Sequence, residues 1–249
     1  MGAKQPDDLS DYDRLAPVYD RLWAASIRDR FLPVVREHVL PRLEPGAVIL
    51  DLCCGPGAMT RTLAAEGYAA VGVDGSSRML ELARAQAPSL EFSLQRWGEL
   101  RLARPCRAAL CLFDSLEHAR NLDELRRVLA RVYAALSRGP FLFDLNGEQG
   151  YLERWRGSAN IVRDEIVLAS RGTYDAAARH GELYATTFTA TADGWQRDDM
   201  SFEQHCFDTA EVMTLLSQLG FRNAKSFDAA ADLGIRGEAG RTVFLCEKG

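Results

Sequence analysis

The residues with the clearest chemical potential sit in VILDLCCGPGAMT, residues 48–60. An apolar run ends in an acid, Asp51, and the chain then turns through Gly55 and Gly57 into what reads as a helix. Glycine has no Cβ, so the backbone can turn tightly there and a ligand can approach it closely. The carboxyl end of a buried strand is also where open α/β sheets bind ligands. Taken alone, such a turn is more often a plain strand-to-helix connection. A nicotinamide dinucleotide site would ask for a third glycine near Thr60, and none is there. A second acid, Asp74, closes the next apolar run in VGVDGSS, 23 residues after Asp51. It can accept hydrogen bonds from both ribose hydroxyls of a nucleoside. It can also cap the following helix, a task Ser76 would serve equally well. Two acids flanking one glycine turn favour the nucleoside.

Further candidates follow later strands. Asp114, Glu117 and His118 come after the fourth apolar run, and Asn146 after the fifth. An imidazole with a reference pKa near ~6.5 can take a proton from a nucleophile. The bland reading is that Glu117 and His118 only open the loop before Asn121. Glu203 and His205 share one face of a strand-like stretch, with period two. They touch substrate if that face closes the pocket and are solvated if it faces water. His38 and His180 read as surface residues.

These groups need elements to hold them. Strands are expected at 47–52, 69–74, 90–95, 107–114 and 140–146, with helices between them. Alternation of this kind implies βαβ units and a parallel sheet. In NLDELRRVLARVYAAL, Leu125, Val128, Leu129 and Val132 mark one face, with Asn121 and Glu124 forming a capping box. Before the first strand, Phe31, Val34, Val35 and Val39 recur at helical spacing until Pro41. Residues 160–206 change character and read as three antiparallel strands, NIVRDEIVLAS, ELYATTFTAT and GWQRDDMSFEQHCF. Asp208 then caps a helix that ends at Gly220, and FRNAKSF and RTVFLCEK make a final pair of strands.

Composition narrows the function class. The 249 residues are 47% hydrophobic and 26% charged, with a net charge of -5. An acidic chain without a basic run lacks the footprint of a nucleic-acid binder. No stretch approaches the ~18 uninterrupted apolar residues of a membrane helix. The opening MGAKQPDDLSDYD is too polar and acidic for a signal or transit peptide. The six cysteines lie mostly in apolar runs without a C-x-x-C pair, as expected of reduced thiols in a cytoplasmic protein. No His, Cys or Asp spacing matches a metal site.

Several of these segments together resemble the class I S-adenosyl-L-methionine (SAM)-dependent methyltransferases, small-molecule branch. DLCCGPG resembles their first motif, usually Asp-Leu-Gly-Cys-Gly-Thr-Gly. VDGSSRML is similar to the ribose motif and its helix, and LCLFDSLEHARNLDELRRVLARVYAALSRGPFLFDLN to the stretch from motif four to strand five. SQLGFRNAKSF resembles the last helix and sixth strand, and YDRLAPVYD the helical lid. The resemblance covers about residues 11–146 and 201–248.

It implies an α/β fold: a doubly wound, seven-stranded, mostly parallel sheet with the last strand inserted antiparallel. Residues 1–45 would be a lid, 46–150 the SAM-binding core, 151–207 an antiparallel cover over the substrate, and 208–249 the last helix and strands. It further implies that Asp51 positions the methionine ammonium while the backbone at Cys53, Gly55 and Gly57 wraps the methionine and ribose. Asp74 would hold the ribose diol, with Gly75 and Met79 against adenine and Trp97 nearby. Leu112 and Phe113 would flank the methionine, and Tyr12 and Tyr19 would cover the cofactor and substrate. Arg96 departs from the family, which commonly has an acid there to accept from the adenine amino group. Arginine has no acceptor, so the adenine contact falls to backbone near Arg96 and Trp97, or to Glu99 under a shifted alignment. Cys53, in place of the first glycine, reads as a tolerable change of size.

The expected activity is methyl transfer to an oxygen or nitrogen of a small molecule, by a monomer or homodimer. His118, Asp114 and Glu117 are the catalytic candidates, and Tyr12, Asn146, Glu203 and His205 the substrate contacts. The rivals are a SAM-binding protein without catalysis and aminopropyl transfer on the same fold.

Overall fold

A computed structural model describes residues 10–249. The first nine residues of the expected lid lie outside the described ones. Seven strands form the central sheet: β1 (Val48–Leu52), β2 (Ala69–Asp74), β3 (Glu91–Leu94), β4 (Ala108–Cys111), β5 (Gly139–Asn146), β10 (Arg222–Asp228) and β11 (Arg241–Lys248). Their order is β10-β11-β5-β4-β1-β2-β3. All neighbours pair in parallel except β11, which runs antiparallel to both β5 and β10. The order reverses beside β1, so the carboxyl ends of β1 and β4 flank a crevice where ligands bind in this architecture.

Helices α3 (Ala58–Ala65), α4 (Ser77–Gln86), α5 (Leu122–Ala135) and α7 (Thr209–Gln218) connect the strands. The capping chemistry read from sequence is present. Asn121 accepts from the Glu124 N–H, and Glu124 reaches back to the Arg120 N–H. Asp208 accepts from the Ala210 and Glu211 N–H groups. One face of α5 and one of α7 bury Leu125, Val128, Leu129, Val132, Val212 and Leu216 against Leu50, Phe141 and Phe143. On the other side Phe31, Val35 and Val39 of the N-terminal segment pack on Ile49, Leu110 and Val243.

That segment is nearly one continuous helix: α1 (Ser10–Tyr19), a π turn at Asp20–Ala24, and α2 (Ala25–His38). It stops before Pro41, which lies in a short 3₁₀ turn.

Three expectations need correction. The stretch NIVRDEIVLAS is two strands. β6 (Gly157–Arg163) and β7 (Ile166–Asp175) hairpin through Asp164 and Glu165, so the insertion has four strands with β8 (His180–Thr191) and β9 (Gly194–His205). An unanticipated short helix, α6 (Glu148–Arg154), precedes them. β4 ends at Cys111 and does not continue to Asp114, because Phe113 and Asp114 both take the left-handed conformation, which a strand excludes. The inner face of the four-stranded sheet (Ile166, Leu168, Ala185, Met200, Phe202) closes over Leu15 and Val18 of α1. Helix α1 is thus gripped between the insertion and the core.

Candidate active site

The turn after β1 is built from backbone that favours glycine. Cys53, Gly55 and Gly57 have φ of 58°, 53° and 75°. Cys53 therefore differs from glycine in conformational cost more than in size. The Phe92 ring lies beneath the turn: a Cβ on Gly57 would approach it to 2.9 Å and one on Gly72 to 2.6 Å. Above, a Cβ on Gly55 would sit 3.6 Å from the Tyr19 ring and 3.9 Å from the Met79 sulfur.

Two carboxylates frame this turn. Asp74 ties it to β2, accepting from the Gly55 N–H at 2.8 Å and the Ser76 N–H at 2.8 Å. Ser76, not Asp74, caps α4, accepting from the Met79 N–H. Burial raises the Asp74 pKa, and its backbone donors oppose that rise. Asp51 is 4% exposed and accepts from the Thr60 hydroxyl at 2.5 Å. Burial pushes its pKa up to about 6, with the Thr60 bonds pulling the other way. Asp51, Cys53, Cys54, Pro56, Leu112 and Tyr19 line a cleft between the turn and the lid.

Helix α1, the expected lid, is fastened at three consecutive residues. Asp11 accepts from the Ser201 N–H of β9 at 2.9 Å. Tyr12 meets His118, with Oη and Nε2 2.5 Å apart. Asp13 accepts from the Ser76 hydroxyl at 2.6 Å and the Arg78 N–H at 3.1 Å, placing a carboxylate at the N-terminus of α4. Burial raises the Tyr12 and Tyr19 phenols, so both are neutral hydroxyl donors. The π turn directly follows Tyr19, and its last residue, Ala24, borders the cleft.

His118 lies in a short 3₁₀ turn between β4 and α5. Its Nδ1 is 2.8 Å from the Glu203 carbonyl oxygen. A carbonyl only accepts, so Nδ1 carries the hydrogen. In the neutral ring Nε2 then accepts from Tyr12. Tyr12, His118 and Glu203 are thus brought together, although Glu203 contributes its backbone. Its side chain is 65% exposed and lies 3.8 Å from His180 Nε2. His205 lies on the same side of β9 but is half-buried, with its Nδ1 enclosed and unpartnered and its ring 5.0 Å from His180. The inward face of β9 belongs instead to Met200, Phe202 and Gln204.

Asn146 is fully buried and committed to the protein. Its N–H donates to Glu117 at 2.5 Å, its amide donates to Asp114 at 2.8 Å, and its Oδ1 accepts from Arg154. It is therefore a keystone and not a substrate contact. Glu117 is fully buried too, and its Oε2 has no partner. Burial, then Asp114 and Asp144, hold its pKa well above the carboxylate range, so it is a neutral acid beneath the site. Asp114 pairs with Arg241. Toward the expected adenine end, Arg96 is exposed, while Trp97 packs against the core cluster containing Leu50 and Leu100. Gly75 follows Asp74, and Met79 is buried on α4.

Sequence reasoning missed Thr60, Asp13, Asp144 and Arg241. An acid inside the apolar run PFLFDLN was a signal, since a buried charge needs a partner. The partner itself is set by tertiary pairing. Among the described residues no cluster of three or more His, Cys, Asp or Glu could hold a metal, and no helix is long and apolar enough to cross a membrane.

Residues 49–139 match the family model described as "Methyltransferase domain". This segment is a methyltransferase domain, and the similarities below support a SAM-dependent methyltransferase. A Geobacillus sp. (strain WCH70) protein provisionally named a methyltransferase is 27% identical over 218 residues, 84% of this chain and 88% of that one. A dTDP-4-amino-2,3,4,6-tetradeoxy-D-glucose N,N-dimethyltransferase of Saccharopolyspora spinosa is 28% identical over 134 residues, 54% of this chain and 52% of that one. Among solved structures, a SAM-dependent methyltransferase from Clostridium acetobutylicum superposes with a TM-score of 0.76 at 21% identity, covering 96% of this chain and 99% of that one. The seven-stranded methyltransferase architecture expected from sequence is the observed one.

Proposed function

We propose that this methyltransferase acts on an oxygen or nitrogen of a small-molecule acceptor held beneath the lid, between Tyr12, His118 and the turn at Phe113–Asp114. The observation that carries this reading is the Tyr12–His118 pair, an imidazole and a phenol hydroxyl within hydrogen-bonding distance, with Tyr19, Asp114 and Cys53 near enough to act electrostatically on the phenol. The cleft and the turn beside it suit SAM: Cys53, Cys54 and Pro56 line the cleft, Asp51 within it can meet an ammonium, and the lone pairs of Asp74 left by its backbone donors can meet a diol. Cys53, Gly55, Gly57, Gly75, Met79, Leu112, Phe113 and Tyr19 would complete the contacts. Adenine would then rest on backbone near Arg96, because Trp97 belongs largely to the core.

When bound, SAM supplies an electrophilic methyl on a sulfonium that leaves as a neutral thioether. The protein must align the acceptor and exclude water, which supplies much of such a rate. Closure of α1 under the insertion performs the exclusion. An acceptor hydroxyl or ammonium must also shed a proton. Nε2 of His118 is the atom that can receive it, directly or through the Tyr12 hydroxyl. Asp114 and Glu117 stand behind the site: Asp114 is neutralised by Arg241, and Glu117 is already protonated. Neither is placed to act as the base.

A sugar amine is the first acceptor to assay, given the dimethyltransferase relative and a sugar N-methyltransferase of similar fold, TM-score 0.75 at 19% identity over 100% of this chain and 95% of that one. The acidic charge speaks against a nucleic-acid partner, and the free thiols fit a reducing compartment such as the cytoplasm. The test is transfer of labelled methyl from SAM to a panel of amino- and hydroxy-sugar nucleotides. Turnover that falls at least about 30-fold in His118→Ala supports the assignment. Turnover unchanged by that substitution removes His118 from the chemistry, and tight SAM binding without turnover on any small molecule favours a non-catalytic binder.

A further inference from the structure

Immediately after β4 the chain makes two successive left-handed residues, Phe113 (φ 66°) and Asp114 (φ 60°). Neither is glycine, and this conformation crowds an L-residue's Cβ against its own carbonyl. Something must hold the turn. Both of its N–H groups donate to one carboxylate: Phe113 to Asp144 Oδ1 at 2.6 Å, and Asp114 to Asp144 Oδ2 at 3.3 Å. Successive N–H groups converging on an anion form a concave nest, which is only as firm as the anion's own anchorage.

Arg241 anchors it. One guanidinium nitrogen, Nη1, donates to both Asp144 and Asp114, and Nε donates to Glu238 at 2.7 Å. Burial works against this charge, and Asp114, Asp144 and Glu238 more than reverse that. The antiparallel register explains the reach. Arg241 lies opposite Asn146, and Val243 lies opposite Asp144, so Arg241 is the diagonal same-face neighbour of Asp144. The Phe113 ring is clamped as well, with the Arg241 and Arg30 guanidinium carbons 5.2 Å and 5.3 Å from its centre.

We propose that Arg241 is a positioning residue for the amino-acid half of the cofactor, acting through Asp144 on the Phe113–Asp114 turn and so on Leu112, which borders the cleft with Asp51 and Cys53. The inference rests on the proposed placement of SAM across β1, nucleoside toward Asp74. In the strand order, β4 and β2 lie on opposite sides of β1. A turn loosened at the end of β4 therefore disturbs what lies on that side, while the Asp74 side on β2 stays intact. A staple that merely held the fold together would not discriminate between the two halves of one ligand.

The test uses two probes by titration calorimetry: S-adenosylhomocysteine, and 5′-methylthioadenosine, which keeps the nucleoside and lacks the amino acid. In Arg241→Gln, S-adenosylhomocysteine should bind about ten-fold more weakly and methylthioadenosine within about two-fold of wild type. Asp144→Asn should show the same split, so the outcome does not depend on one variant folding. Glycine takes the left-handed conformation freely, so in a Phe113→Gly background the Arg241→Gln loss should shrink to less than about three-fold. Equal weakening of both probes, an unchanged S-adenosylhomocysteine affinity, or the same ten-fold loss in the glycine background each overturns the inference. Wild-type protein that binds neither probe overturns the cofactor placement itself, and the inference with it.

Discussion

Protonation of Asp51 should control cofactor affinity in mildly acidic solution. Its pKa in the free protein is about 6, raised from 3.8 by burial. Only the carboxylate attracts the ammonium of the cofactor's amino acid, which stays charged below about pH 7. Apparent affinity should then fall by about ten-fold from pH 7 to pH 5, as the ionised fraction drops from about nine-tenths to about one-tenth. Asp74 is also raised by burial and would weaken nucleoside binding in the same direction. Methylthioadenosine separates the two, since it reports Asp74 and not Asp51. The quantity to follow is the ratio of S-adenosylhomocysteine to methylthioadenosine affinity between pH 5 and 7.5. Asp51→Asn should flatten that ratio. A wild-type ratio that does not change over this range would refute the reasoning. The stability consequence has a definite sign. An acid with a raised folded pKa contributes stability that is fully present below 3.8 and lost as pH rises through about 6. Asp51→Asn keeps an acceptor for Thr60 and should therefore stabilise the free protein at pH 7 by up to about 3 kcal/mol, and change it little at pH 4.

Two further expectations concern the turn and the lid. Cys53 has φ 58°, so Cys53→Gly relieves about 1–2 kcal/mol of local strain and returns about 0.4–1 kcal/mol to unfolded-chain entropy. Thermal melting should rise by up to about 4 °C, and a fall would mean that the thiol's packing outweighs the backbone. Asp13→Ala removes the acceptor that ties α1 to the start of α4 and should cost about 1 kcal/mol. Limited proteolysis should cut faster near residues 10–24 in that variant and at the wild-type rate in Asp13→Asn, which keeps an acceptor; equal rates in all three proteins would show that the lid is held elsewhere.

Much of this molecule is written locally. The run AAVGVD is a strand because it is continuously apolar and its neighbours are turn residues. Asn121, Ser76 and Asp208 fix helix starts because their side chains reach N–H groups two or three residues on. The glycine turn and the two acids at strand ends follow from the same short-range logic, and so does the resemblance that pointed to SAM. The left-handed Phe113 and Asp114 do not. Nothing in LCLFDS announces a strand ending early, because the cause is Asp144, about thirty residues away.

The fates of the polar candidates separate in the same way. Asn146, Glu117 and His118 look alike on paper, as polar residues at carboxyl ends of strands. In the folded chain Asn146 is saturated by Glu117, Asp114 and Arg154, Glu117 is sealed in as a neutral acid, and His118 meets Tyr12 of α1 through its Nε2. Glu203 turns outward and His205 is only half-buried, because the period of β9 gives its inner face to Met200, Phe202 and Gln204. Periodicity names the two faces of a strand, but only packing says which one is inside. The sequence by itself determined the elements, their caps and the cofactor-type turn, since those interactions span a few residues. Tertiary structure decided which acids are free, which are paired with Arg241, and which side chains face the acceptor, since long-range pairing and desolvation set those outcomes.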